Sequence, residues 1–352
     1  MGAPPSSPEG HLRLPAARGP LSRHVFDVLR GPPASSALRS VPADGPDDEQ
    51  LALFVLQQLS YRRFDGVDPA WEEHADLVAV RNALEAEMEL RLHSHVTIPD
   101  VAPAEVPEAL VQMLAEAEGP SLSSWMAEHG TIDHLREFVV HRAAYQLQEA
   151  DPHSFAIPRL EAGQCKTALL ELQMDEYGGH EPTEAHAVLF ANTMTALGLE
   201  PVADLAALPA VTLATNTLLN RLGRSRRLLP ACLGHLAVFE MTSVEPMARY
   251  AATVRRVLEG PSATAAARFY DVHVAADGFH AQLAADRLIS GFVAAHPEEA
   301  REVLFGAGAL MAVERNLAEH LIRCWEAGLS TLRTPLTQCS IPAPWPSLQA
   351  VS

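Results

Sequence analysis

Lysine is nearly absent from this chain: Lys166 stands alone among 352 residues, and arginine raises the basic total only to 26 against 44 acids, a formal net charge of −18. With no basic run, phosphate neutralisation, the main driver of nucleic-acid binding, has little to work with, and an anionic membrane surface would repel the protein. Cysteine is sparse too. Cys165, Cys232, Cys324 and Cys339 lie far apart with no CxxC pair, which excludes a disulfide framework or a cysteine-rich zinc module and suits a reducing cytoplasm. No apolar run is long enough to cross a bilayer, and the opening MGAPPSSPEGHLRLPAARGP lacks the apolar core of a signal peptide. A soluble, cytoplasmic protein is therefore expected. What is present is a 48% hydrophobic composition, enough to bury a large core.

Residues 1–45 are rich in Pro, Gly, Ser and Ala and read as a flexible tail, as do residues 336–352. Between them, over 46–335, apolar residues recur at helical spacing and strand-like alternation is scarce, so the fold class is all-α. DDEQLALFVLQQLSYRRF carries acids in its first turn and bases in its last, as the helix dipole favours. Further helices are predicted over 69–92, 104–118, 132–150, 161–177, 183–197, 202–221, 227–242, 244–258, 262–288 and 297–328, separated by Gly- and Pro-bearing breaks. No solenoid repeat is present.

The sharpest local signal is ARFYDVHVAADGFHAQLAADRL, where His273, Asp277 and His280 stand at i, i+4 and i+7. At about 100° per residue the three fall within roughly 60° of one helix face. Two imidazoles and a carboxylate on an internal face suit Fe, Mn or Zn; the same spacing also describes a solvated polar face. In KTALLELQMDEYGGHEPTEAHAVLF, Glu171, Asp175 and Glu176 precede Gly178–Gly179 and Pro182, and His186 follows. On one ideal helix Glu176 and His186 diverge by about 80°, so they share a site only if the break re-phases the second segment; otherwise the segment is a kink with exposed polar residues.

Glu240 ends the apolar run ACLGHLAVFEMTS. If buried, its carboxylate must be paired, protonated or metal-bound; alternatively it has reached an exposed helix end. His235 in the same run reads as a hydrogen-bonded core or supporting histidine. Glu149, near a helix end in LREFVVHRAAYQLQEADPH, is solvated by default. Arg249, Arg255 and Arg256 are either anchors for a substrate carboxylate or solvated surface groups.

Taken together, EFVVHRAAYQLQEADPH, ALLELQMDEYGGHEPTEAH, GHLAVFEMTS, RFYDVHVAADGFH and VLFGAGAL resemble the heme-oxygenase-like diiron oxidase and oxygenase superfamily, and within it the bacterial iron-containing redox enzymes, from about residue 48 to 330. The resemblance implies a heme-oxygenase-like helical bundle. It also implies metal ligands at Glu176 and His186, at Glu240, and at His273, Asp277 and His280. Glu149 corresponds to an additional carboxylate found in members that oxygenate nitrogen. Tyr177, His235 and Tyr270 are candidates to orient the imidazoles. His180, just after the glycine pair, departs from the small residue expected there and offers a competing imidazole.

The resemblance further implies two irons per chain, cycling between Fe(II) and Fe(III), with O2 as co-substrate. They would oxidise a small, amino-acid-like or amine-bearing molecule by N-oxygenation, desaturation or carbon–carbon cleavage. An external electron donor and a homodimer are compatible with it. A mononuclear iron or dimanganese site stays open on ligand type alone, as does a metal-free scaffold on the same fold. Heme is disfavoured because the polar cluster would fill the space a porphyrin needs.

Overall fold

The computed structural model describes residues 12–33, 41–148 and 150–336, with the side chain of Asp277 left out. The order is α1 (Pro20–Leu29), α2 (Pro46–Gln58), α3 (Ala75–His95), α4 (Val106–Ala115), α5 (Leu122–His129), α6 (Ile132–Gln146), α7 (Asp151–Ser154), α8 (Gln164–Glu176), α9 (His186–Ala196), α10 (Ala210–Arg224), α11 (Leu229–Thr242), α12 (Val244–Val257), α13 (Gly260–Leu283), α14 (Ser290–Ala295) and α15 (Ala300–Glu326). A π-helical turn, Ala284–Ile289, links α13 to α14. The described residues form no β-strand, only an isolated bridge between Leu12 and Phe64. The fold is thus the expected all-α bundle. No helix among the described residues is long and apolar enough to cross a membrane.

One expectation fails at the N-terminus. Part of the segment read as a tail up to residue 45 is folded: α1 buries Leu21, Val25, Phe26 and Leu29 against Leu51, Phe54 and Val55 of α2. Its proline does not interrupt the helix, because Pro20 occupies the first helical position, where its missing N–H would be unpaired in any case. The next two N–H groups, of Leu21 and Ser22, donate to the buried carboxylate of Asp48 at 3.0 and 2.8 Å, so α2 caps α1 from outside the helix. Residues 337–352, most of the expected C-terminal tail, lie outside the described residues.

Element boundaries differ where local chemistry intervenes. The helix expected from 202 begins at Ala210, directly after Pro209, since a residue preceding proline disfavours the α region. An unanticipated α5 is capped by Ser121, whose hydroxyl accepts from the Ser124 N–H. The run expected to end at 288 continues through the π turn into α14.

The packing that matters for the site is that of α11 on α15. An added Cβ on Gly234 would lie 1.9 Å from the Val303 carbonyl oxygen, and one on Gly306 would lie 1.9 Å from that of Ala231. Paired glycines let the two backbones touch, which fixes the position of α11 and of Glu240 near its end. On the other side, α13 packs against α9 and α12, enclosing Phe190, Phe269 and Tyr270 in an aromatic cluster.

Candidate metal centre

The site begins where α8 stops. Glu176 is the last residue of α8; Gly178 and Gly179 then take left-handed φ values of 85° and 59°. The Gly179 N–H donates back to the Met174 carbonyl at 2.8 Å, closing the helix end as glycine caps do. A short turn at Pro182–Glu184 and an extended Ala185 re-aim the chain so that α9 starts at His186. Its Nδ1 then lies 2.8 Å from Glu176 Oε2, with both side chains buried.

His273 enters from α13. Its Nδ1 lies 2.7 Å from the Phe269 carbonyl oxygen; a carbonyl only accepts, so Nδ1 carries a proton and Nε2 is the ring nitrogen that can offer a lone pair to a metal. The His273 and His186 rings lie 4.2 Å apart between centroids. Glu176, His186 and His273 each offer a donor atom, all within 4.8 Å of one another. Burial pushes the Glu176 carboxyl toward its protonated form, but the imidazoles of His186, His273 and His280 outweigh burial and hold it below the usual carboxylate range.

A second group adjoins the first. His280, one per cent exposed, sets Nδ1 3.4 Å from Glu240 Oε2 and Nε2 2.9 Å from Asp175 Oδ2. Glu240 is itself buried. Glu176, Glu240 and His273 line one cavity of about 40 Å³, room for a few water-sized species. Five sequence-selected residues from α8, α9, α11 and α13 therefore meet in the interior. Glu149 and the side chain of Asp277 lie outside the described residues.

Asp175 emerges as a partner of His280. Glu171, one helical turn earlier on α8, is instead held by Arg287 on the π turn at 3.0 Å. His235 does not touch these five residues through any hydrogen bond; its Nδ1 faces Nε2 of His153 at 3.2 Å, and His153 lines the small cavity. Burial pushes His153 down to about 4, so it is neutral at physiological pH. The sequence reading missed His153 because it lies in the DPHS break, where no helical period marks it.

Tyr177 is half-exposed, and its hydroxyl lies 3.0 Å from both Asp151 Oδ1 and Ser154 Oγ, away from the imidazoles. His180 is exposed on the glycine turn. Arg249 and Arg255 pair with Glu245 and Asp271, and Arg256 donates to the Met126 carbonyl. Tyr270 is buried and lines a larger chamber of about 790 Å³. That chamber shares Gln146, Phe239, Ser243 and Met247 with the small cavity. In its wall Arg142 Nη1 donates to both carboxylate oxygens of Glu314, at 2.8 and 3.0 Å.

Buried imidazole nitrogens and carboxylate oxygens converging without a thiolate are a donor set suited to Fe, Mn or Zn, and the arrangement across helices of a bundle is one in which such ions are held. The family described as iron-containing redox enzyme matches residues 136–315, the stretch that contains every residue of the cluster. No curated protein matches the chain. Two solved structures of a CADD-like protein of unknown function from Nostoc punctiforme PCC 73102 are similar. One shares 16% identity over 73% of this chain and 98% of its own, and the other 18% over 69% and 96%; each has a TM-score of 0.44.

Proposed function

This chain belongs to the iron-containing redox enzyme family, and from that premise we propose that it is an O2-dependent diiron oxidase or oxygenase acting on a small amino-acid-like or amine-bearing molecule. The observation that carries this reading is the buried convergence of Glu176, His186 and His273 within 4.8 Å, with the His280–Glu240 pair alongside. Those five side chains would hold the metal, joined under the same reading by Asp277 and Glu149. Iron held there supplies the electrons that reduce O2 while substrate is oxidised.

The chain's own groups have definable tasks. Glu176, kept ionised, offers negative charge to a divalent cation. The Phe269 carbonyl fixes the tautomer and ring orientation of His273. Asp175 does the same for His280 from the other ring nitrogen. Binding releases protons wherever an imidazole was charged beforehand. Near-complete burial of His273 and His280 keeps bulk water away, and the adjoining chamber brings a substrate to the same wall.

Anaerobic loading with Fe(II) should give about two irons per chain, as in carboxylate-bridged bundle sites. His273→Ala and Glu240→Ala should each lower that number, and candidate amines or amino acids should accelerate O2 consumption only by the loaded wild type. Full iron retention in both variants would sink the reading.

A further inference from the structure

A surface helix ordinarily turns one apolar face to the core and a polar face to water; α8 has two apolar faces. Ala168, Leu169 and Leu172 are buried, while Leu170, Met174 and Tyr177, at i, i+4 and i+7, are exposed. At about 100° per residue those three fall within roughly 60° of one another. Nine large apolar side chains are exposed among the described residues, and six of them gather here: Phe155, in the segment leading into α8, and Val274 and Phe279, on α13, join the three. Hydrogen bonds between Ser154 and Tyr177 at 3.0 Å and between Asp175 and His280 at 2.9 Å tie the segments together. Apolar residues scattered singly need no explanation, but a patch with a polar rim marks a contact surface.

The charges along this face are segregated. Glu171, at its middle, is neutralised by Arg287 at 3.0 Å. The N-terminal end carries Lys166, the sole lysine of the chain, and Arg159, whose guanidinium lies 5.9 Å over the Phe155 ring, with Glu161 offsetting one of the two. The C-terminal end carries Asp175, with 52% of its side chain exposed, and the exposed Glu181, where the helix dipole adds to the negative charge. Lys166 donates to the Leu160 carbonyl at 3.1 Å, which leaves two of its three N–H groups for an acceptor from outside.

We infer that the exposed face of α8 is an interface with a second copy of this chain, the two α8 helices packing antiparallel about a two-fold axis near Leu170. A face that is basic at one end, apolar in the middle and acidic at the other is complementary to itself when reversed, as an isologous contact requires. Antiparallel packing also sets the two helix dipoles in their favourable orientation. Elsewhere the net charge of −18 sets like charge against like. Reversal brings Lys166 of the second copy to the end that holds Asp175, the carboxylate 2.9 Å from Nε2 of His280, so each copy lends a cation to the rim of the other's candidate metal centre. A contact one helix long, about 20 Å, is at the low end of interface sizes, so the dimer dissociates on dilution. The contact goes beyond the iron reading and does not depend on it.

Sedimentation equilibrium of the full chain over a concentration series, iron-free and again after anaerobic Fe(II) loading, tests this. The wild type should pass from monomer to dimer. Leu170→Arg and Met174→Arg should each weaken that step about tenfold or more, because they place a charge in the apolar middle. Lys166→Glu and Glu181→Lys leave the stripe intact; each should self-associate more weakly than wild type, and an equimolar mixture of the two should associate more tightly than either alone, since opposite charges then face each other. Carbodiimide coupling of the wild type should join Lys166 of one copy to Asp175 or Glu181 of the other, read by mass spectrometry of the cross-linked dimer. A wild type that stays monomeric throughout overturns the inference and leaves the stripe to a different partner. Association that both arginine variants leave unchanged also overturns it, as does a cross-link from Lys166 to any other part of the second copy. Should the arginine variants fail to fold, the charge pair decides: a mixture no tighter than its components contradicts the reversed packing. Iron content of the same samples separates the two readings: full iron uptake without dimers overturns the contact alone, and dimers without iron uptake overturn the iron site alone.

Discussion

Glu176 closes one helix and His186 opens the next, yet their side chains meet at 2.8 Å. The glycine turn between them does what an unbroken helix could not: it cancels an angular divergence of about 80°. The candidate ligand cluster is therefore only as well defined as that turn.

Gly178→Ala should disturb it most. At φ 85° an added Cβ would lie 2.5 Å from both the Ala185 nitrogen and the Glu181 carbonyl oxygen, backbone atoms that cannot yield cheaply. A loss of about 3 kcal/mol in urea unfolding is expected, with weaker iron uptake. Gly179→Ala, whose Cβ meets nothing within 4 Å, should cost only about 1 kcal/mol, for the left-handed backbone alone. Equal losses in the two variants would contradict this account.

The contact between α11 and α15 gives a second expectation. Gly234→Ala or Gly306→Ala inserts a methyl 1.9 Å from a carbonyl oxygen of the facing helix. Separation of the helices should lower the midpoint of thermal unfolding by an amount corresponding to about 3 kcal/mol. It should also displace Glu240 and so reduce iron stoichiometry. A wild-type midpoint in either variant would show that the backbones are not in contact.

A third concerns pH. His141 is buried between the hydroxyls of Thr212 and Thr331, at 2.6 and 2.8 Å, and burial pushes it down to about 3. The folded chain holds the ring neutral while the unfolded chain protonates it near its ordinary value, so its contribution is full above about pH 6.5. It is lost progressively as pH falls from there toward 3, at up to about 1.4 kcal/mol per pH unit. Urea midpoints measured from pH 7 to 5 should fall in the wild type and fall less steeply in His141→Gln.

The Arg142–Glu314 pair offers a fourth. Arg142 is buried with its guanidinium on both oxygens of Glu314. Glu314→Leu should cost about 3 kcal/mol because it strands a buried cation, whereas Arg142→Met combined with Glu314→Leu should recover much of that loss. A double-mutant cycle on denaturant unfolding reads the coupling; strictly additive losses would mean that the pair does not interact.

Local pattern was enough for the all-α class, for the helical face bearing His273 and His280, and for the idea that Gly178, Gly179 and Pro182 break a helix between two ligand candidates, because helical period and turn chemistry act over a few residues. The docking of α1 was not legible, since Asp48 caps it from another helix and proline content alone resembles a tail. Nor was His153, which carries no periodic signature, nor the diversion of Tyr177 to Asp151 and Ser154. The meeting of Glu176 with His186 and of His280 with Glu240 was decided only in three dimensions. Which buried groups face one another depends on a turn that re-phases α8 into α9 and on glycines that set the height of α11 over α15, and neither displacement is written in the spacing of the residues it brings together.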